Sequence, residues 1–418
     1  MCSVLHISIF FGQSTDFYKL ILFNIKEQTI AISTSSYMTS YYRRFIITFF
    51  YTSVLFLCSC KSNSQTESFN LASEDSFPTS FIQDVQFINL DSSNPISFIR
   101  NVQLIDSSFY VLADNGLFRY ACDGEFMGQI SRQGRSEQEW LHLDTFFYSE
   151  KSRDLCLVDC GMAKIMHFSL DGDFLFSTGI QSLYGYHVTQ AVSTEAGVLM
   201  ANSVYQNSSS VYIFLPKDEP EKIIDLEQTT FKNEEAIYSI GSHPISVFNK
   251  SVKWIVPATN VLREYSNAGP SDFAIVPTNA PLPDKKLLKD FEHTFSPYRL
   301  ASTCRSQNLF CGYSAIFETE KYLFLASFNH FYTIVDKESK NCWVLPRSAF
   351  INKIGIPLDD CTSSFSNTII SVFDDVKRMT YKYDKDVHEC RNEAFKHLLD
   401  NSDDELGNNT LILYTISQ

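Results

Sequence analysis

The sequence predicts an all-β fold: a six-bladed β-propeller of four-stranded antiparallel blades, with a short helical insertion near the C-terminus. Three observations predict it. One structural unit is written twice between Leu104 and Ile180. Each copy holds an Asp-Gly turn between apolar runs, a strong short-range hairpin signal. Similar runs then continue to Ile416, and roughly 330 residues at about 45–55 per blade make about six blades. Composition agrees: 36 Phe and 21 Tyr are many, aromatics favour strands, and 44% hydrophobic residues can fill a large core.

The first copy reads Tyr110-Val111-Leu112-Ala113-Asp114, then Leu117-Phe118-Arg119-Tyr120, then Asp123-Gly124-Glu125-Phe126-Met127. The second reads Leu155-Cys156-Leu157-Val158-Asp159, then Lys164-Ile165-Met166-His167-Phe168, then Asp171-Gly172-Asp173-Phe174-Leu175. Both Asp-Gly pairs are expected in type I′ turns, which need two positive φ angles. A third unit is expected over 184–226, a fourth over 244–276, a fifth over 315–345 and a sixth from 368–373 with 410–416. Residues 278–312 break the rhythm, with a short helix expected at 287–291. Residues 387–399 read as a second helix, ending in an acidic loop. The strand expected at 85–90 precedes the first unit and is placed to close the ring beside 410–416, which removes exposed sheet edges.

The N-terminal region reads differently. Residues 1–37 show no clean period and read as an over-extended N-terminus before Met38. Residues 38–59 read as a signal peptide: a basic start with Arg43 and Arg44, then an uncharged apolar stretch over 45–57, shorter than an ordinary membrane span. Leu57-Cys58-Ser59-Cys60 resembles the bacterial lipobox, which implies cleavage before Cys60 and a diacylglycerol thioether on its sulfur. The alternatives are an uncleaved anchor or cleavage without lipid. Residues 60–84, rich in Ser, Asn, Thr and Glu, are expected to form a flexible tether.

Between the two clear units, residues 128–140 read as a loop, too polar and Gly-bearing for a strand interior, ending Gly134-Arg135-Ser136-Glu137-Gln138-Glu139-Trp140. Loops on rigid scaffolds concentrate binding residues. Arg135 could hold a carboxylate in a bidentate contact and Trp140 could stack on a sugar or peptide, with Glu139 beside them. The alternative is a structural clasp: Arg135 and Glu139 pair with each other or a neighbour, and Trp140 packs between blades.

The lipobox, the loop Arg132-Gln133-Gly134-Arg135-Ser136-Glu137-Gln138-Glu139-Trp140, the paired Asp-Gly repeats and the closing Asn408-Asn409-Thr410-Leu411-Ile412-Leu413-Tyr414 together resemble the six-bladed β-propeller lipoproteins of Bacteroidota-type bacteria, distantly similar to NHL-repeat propellers. That family's loop reads Gly-Arg-Gly-Pro-Gly-Glu-Tyr; here Ser136 and Gln138 stand where Pro and Gly are usual. The resemblance spans residues 60–418 and implies a lipid-anchored location in the cell envelope, at the outer membrane. It implies no common activity.

A net charge of -14 argues against a nucleic-acid partner, which calls for basic patches. The 11 cysteines form no CxxC and no zinc-finger spacing with His. Free buried thiols are expected, or one or two disulfides in an oxidising compartment. The nine His are scattered singly and read as structural or exposed. Gly-x-Ser-x-Gly, Walker and dinucleotide motifs are missing. No catalytic residue, metal or cofactor is predicted. The expected function is a lipid-anchored binding or scaffold module for a peptide, glycan or envelope protein. The alternative is a propeller hydrolase or lyase acting on an extracytoplasmic glycan or peptide.

Overall fold

A computed structural model describes residues 66–418, except 94–95, 205–208, 216–221, 229–242, 257, 267–268, 285, 288–296, 329, 389 and 401–408. Residues 1–65, with the expected signal peptide and Cys60, lie outside the described residues. Three short N-terminal strands come first: β1 (Glu67–Ser68), β2 (Asn70–Leu71) and β3 (Ile82–Asn89). Blade 1 holds β4 (Ile99–Ile105), β5 (Ser108–Ala113), β6 (Gly116–Ala121) and β7 (Phe126–Ser131). Blade 2 holds β8 (Thr145–Ser149), β9 (Asp154–Asp159), β10 (Lys164–Phe168) and β11 (Phe174–Gly179). Blade 3 holds β12 (His187–Ser193), β13 (Val198–Val204), β14 (Ser209–Leu215) and β15 (Lys222–Gln228). Blade 4 holds β16 (Ile245–Phe248), β17 (Ser251–Ile255), β18 (Val261–Ser266) and β19 (Gly269–Ile275). Blade 5 holds β20 (Tyr313–Glu318), β21 (Tyr322–Ser327), β22 (Phe331–Asp336) and β23 (Asn341–Pro346). Blade 6 combines β24 (Cys361–Phe365), β25 (Thr368–Phe373) and β26 (Thr410–Ile416) with β3 as its outer strand. The first strands of adjacent blades approach one another, β8 beside β12, β16 beside β20 and β24 beside β4, and so form the innermost ring.

The inner and middle strands are apolar on both faces because each blade is sandwiched between two others. On β5, Phe109, Val111 and Ala113 point into the interface with blade 6, while Tyr110 and Leu112 point into that with blade 2. On β9, Leu155 and Leu157 face blade 1, and Cys156 and Val158 face blade 3. The period of two thus assigns alternate residues to alternate neighbours. One core cluster fills each of the six interfaces.

The ring closes as the sequence predicts. β26 pairs antiparallel with β3, with Leu411 opposite Ile88 and Leu413 opposite Gln86. The Asp-Gly turns, however, are not type I′. Only Gly124 (φ 92°) and Gly172 (φ 95°) have positive φ; Asp123 and Asp171 do not. Gly124 N donates to Ala121 O at 3.0 Å and Ala121 N to Glu125 O at 2.9 Å. This is a three-residue connection in which a type I turn is followed by a left-handed Gly. A side chain at Gly124 would also run into the carbonyl of Asn89, 2.0 Å from its Cβ position.

The expected tether over 60–84 is corrected for its described part. β1 pairs parallel with β19 and β2 parallel with β23, so this segment runs along the outer edges of blades 4 and 5 before entering blade 6. Phe69 fills the interface of blades 4 and 5, and Phe77 and Phe81 fill that of blades 5 and 6. Trp343 Nε1 donates to Ser76 Oγ at 3.0 Å. The polar composition suggested a solvated chain, but three spaced aromatics and two open strand edges bind it down.

The helices also differ from expectation. The helix expected at 287–291 falls mostly outside the described residues; helix α1 (Pro297–Ser306) lies further along. Helix α2 (Arg347–Ile354) connects blades 5 and 6. The single helix expected at 387–399 is two, α4 (Lys385–His388) and α5 (Glu393–Asp400), and a further helix, α3 (Asp375–Lys382), precedes them. Asp374 caps α3, accepting from Lys377 N at 2.9 Å.

Because β26 supplies both the centre of blade 6 and the partner of β3, removing residues 409–418 is expected to abolish cooperative unfolding of the whole ring. Calorimetry of the truncated chain checks this; an unchanged melting transition would contradict it.

Candidate functional site

The candidate site lies at the end of the ring where the connections between blades emerge. Its centre is the loop 132–144, which leads from β7 into β8; the loop expected from 128 begins later, because Gly128–Ser131 pair with β6 and complete β7. The loop is held from within. Lys164, at the start of β10, is buried and donates from Nζ to the carbonyls of Ser136 (2.9 Å), Glu137 (2.8 Å) and Glu139 (2.6 Å). Burial pushes this ammonium's pKa down. Three carbonyl oxygens replace its water shell, which fixes the loop's path.

The Glu139 carboxylate turns back into its own loop. It accepts from Arg132 Nε (2.7 Å) and Ser136 N (3.0 Å). The Ser136 amide, with Arg132, lowers its pKa to about 2. Gly134 leaves room for this fold-back, since a Cβ there would lie 2.1 Å from Glu139 Oε2 and push the carboxylate aside. Trp140 is 4% exposed and packs with Tyr110, Leu112 and Leu157 between blades 1 and 2. Arg135 is exposed and makes no hydrogen bond or ion pair among the described residues. The three residues nominated from sequence therefore separate. Glu139 pairs with Arg132 rather than Arg135, Trp140 presents no ring face to a ligand, and Arg135 alone projects outward.

Beyond Trp140 the loop is fixed by charged groups of both flanking blades. Asp159, at the end of β9, accepts from Leu141 N (2.7 Å), His142 N (3.2 Å) and Met162 N (2.8 Å). Arg100 of blade 1 donates to Leu143 O (2.6 Å) and Asp144 O (2.9 Å). Asp144 accepts from Cys160 N at 2.8 Å through Oδ2. Its other oxygen faces two imidazoles, His142 Nδ1 at 3.4 Å and His187 Nδ1 at 3.9 Å. The carboxylate is 3% exposed, the two histidines 63% and 57%. Burial pushes the Asp144 carboxyl up, against the Cys160 amide and the two imidazoles. Sequence reading missed this trio because His142 and His187 are 45 positions apart and each stands alone. The signal was positional: both lie at the entry to an innermost strand, β8 or β12.

The far side of the same face carries a closed polar cluster. Arg347 of α2 binds Asp359 through Nε at 3.0 and 2.8 Å and Asp384 through Nη1 at 2.8 Å. The hydroxyls of Tyr381 (2.8 Å) and Tyr332 also donate to Asp359. Burial pushes Asp359 up, but the Arg347 hydrogen bonds and charge bring it below its ordinary value. Every partner here is internal, so the cluster locks the helices onto blades 5 and 6.

Two outcomes are expected. Trp140→Ala removes a buried aromatic and is expected to cost about 3–5 kcal/mol, lowering the melting temperature by several degrees; a mutant that melts like the parent would contradict this. Glu139 has a depressed folded pKa, so its contribution is present above the ordinary carboxylate range and is lost as pH falls toward about 2. Acid titration followed by amide exchange of 132–140 is expected to show the loop loosening over that window, and Glu139→Gln is expected to remove the transition.

Structural comparison finds solved proteins of similar fold. An exported protein of Bacteroides fragilis superposes with a TM-score of 0.66 at 16% identity, covering 84% of this chain and 99% of that one. A DUF4221 member from Bacteroides vulgatus gives 0.48 at 8% identity, over 80% and 97%. The extracellular domain of a hybrid two-component system from B. thetaiotaomicron gives 0.39 at 12% identity, over 62% of this chain and 29% of that one. The first of these is described as an exported protein, and the third is an extracellular domain. No helix among the described residues is long and apolar enough to cross a membrane. No curated protein matches the sequence. The sequence does match the family described as 6-bladed beta-propeller (DUF5128) over residues 58–358, and the chain belongs to that family.

Proposed function

We propose that this protein is a lipid-anchored binding module of the bacterial cell envelope, tethered through Cys60, that presents the face carrying loop 132–144 to a peptide, glycan or envelope protein bearing an anionic group. The observation that carries this reading is the pinning of that loop. Lys164, Asp159 and Arg100 satisfy its backbone from below, so Arg135 and the two imidazoles stand on a rigid base. A binding group held this way loses little freedom on association. The exported character of the Bacteroides fragilis neighbour supports an envelope location, and the lipobox at 57–60 supports the anchor.

One observation favours the enzyme alternative, a hydrolase or lyase. A buried carboxyl with a raised pKa beside two exposed imidazoles is the kind of arrangement that serves proton transfer. The thiol beside it, Cys160, is buried, and burial and the neighbouring Asp144 push its pKa up, which disfavours a nucleophilic thiolate, so binding remains the primary reading.

The test has two arms on one protein. Cys60→Ala is expected to abolish fatty-acid labelling and release the protein from membranes; retained labelling would overturn the anchor. A panel of acidic and neutral glycans and peptides is then offered to parent and Arg135→Ala protein. Loss of one charge-assisted contact is expected to weaken capture of acidic members about 10–100-fold at unchanged melting temperature. Equal capture by both proteins would remove Arg135 from the site, and product formation from a panel member would favour the enzyme.

A further inference from the structure

A different cluster sits at the opposite end of blade 2, where β8 turns into β9. Asp154 opens β9, Cys156 follows two positions on, and His167 lies opposite Cys156 on the neighbouring strand β10. His167 Nδ1 is 2.7 Å from Asp154 Oδ2 and 3.5 Å from Cys156 Sγ, and Cys156 Sγ is 3.8 Å from Asp154 Oδ1. The remaining imidazole nitrogen, Nε2, lies 3.2 Å from Thr178 Oγ1 on β11. Phe176 stacks on the ring with centroids 4.1 Å apart.

This is not a nucleophile–base arrangement. A Cys-His-Asp relay needs the thiol and the carboxylate on opposite nitrogens of the ring. Here both approach Nδ1. Three donors aimed at one region is what a cation requires. Around tetrahedral zinc, with Zn–S about 2.3 Å and Zn–N or Zn–O about 2.0–2.1 Å, donors stand about 3.3–3.6 Å apart. The S–N separation is already in that range, the thiol stands 3.8 Å from one Asp154 oxygen, Oδ1, and the contact of the other oxygen, Oδ2, with His167 needs to open by about 0.6 Å.

We propose that Asp154, Cys156 and His167 form a binding site for a divalent transition metal, zinc being the ion their mixed carboxylate, thiolate and imidazole set suits best. Binding releases the Cys156 proton to solvent, and the thiolate and carboxylate together then balance the 2+ charge. Both donors are buried, Cys156 at 2% and the Asp154 side chain at 2% exposure, so this neutrality matters. On binding, Nδ1 exchanges its contact with Asp154 for the metal, and the ring proton sits on Nε2, which donates to Thr178 Oγ1. Water takes the fourth position on the side where His167 is 15% exposed. The site gathers the first turn and three strands of blade 2, so its role is to staple the outer part of that blade.

The test uses the full-length protein in detergent, reduced, freed of metal with a chelator, and titrated with Zn²⁺ or Co²⁺ alone. One equivalent of Zn²⁺ per chain is expected to bind, raising the melting temperature by about 3–5 °C at a hundredfold excess over Kd. Co²⁺ is expected to give a sulfur charge-transfer band and tetrahedral ligand-field bands. Cys156→Ser and His167→Ala, checked for folding by circular dichroism, are expected to lose the band and weaken binding at least 100-fold. Cys160→Ser, a buried thiol outside the donor set, is expected to keep both. Failure of the parent to bind either ion overturns the proposal. So does a Co²⁺ band that survives Cys156→Ser, which would mean adventitious binding at other thiols. If either ligand variant fails to fold, the parent's own band and stoichiometry still decide.

Discussion

The structure depends on burial of every blade between two others. A four-stranded sheet with two apolar faces cannot stand in water, and the ring is the arrangement that leaves neither face exposed. On β5, β9 and β14 successive residues serve opposite interfaces, so each strand binds two neighbours at once. Such a ring has one vulnerable point, the junction where chain ends meet. Here it is sealed by β3 pairing with β26 and strengthened by the N-terminal strap across blades 4 and 5. Phe69, Phe77 and Phe81 extend that seal through side-chain packing, beyond what backbone pairing provides.

A rigid disc makes its polar ends available for other work, and the loop-bearing end uses its charges in two ways. Beneath blades 5 and 6, Arg347 and two tyrosines satisfy Asp359 completely, and the charges act only to hold helices. Around loop 132–144, Lys164 and Asp159 are likewise buried and satisfied by backbone groups, yet what they hold carries exposed functional groups. The difference lies in where unspent side chains remain. Arg135, His142 and His187 stand outside their supporting network, whereas the Asp359 cluster turns inward.

Asp144 and Asp154 show how one residue type takes on different chemistry by position. Both are buried carboxylates near histidine in blade 2, at opposite ends. Asp144 meets two imidazoles at 3.4 and 3.9 Å beside solvent, a setting for ligand contact or proton exchange. Asp154 meets one imidazole and one thiol in a corner that is buried apart from one edge of His167, a setting for a cation.

By itself the sequence determined the architecture. Strand runs, their spacing and the Gly residues of the hairpins are local signals, and strand pairing across a closed ring follows from them. It also placed a loop ending at Trp140 between two regular blades, though begun four residues early, and 85–90 beside 410–416. It misread the Asp-Gly turn type, because Gly alone supplies the left-handed residue after a type I turn. It misread 66–84 as a tether, because composition does not reveal that three spaced phenylalanines have interfaces to fill. It could not choose between Arg135 and Arg132 as the partner of Glu139, nor bring His142 to His187 or His167 to Cys156. Those choices depend on which side chains the closed ring sets within a few ångströms of each other, and residues far apart in the chain acquire that proximity only when the blades pack.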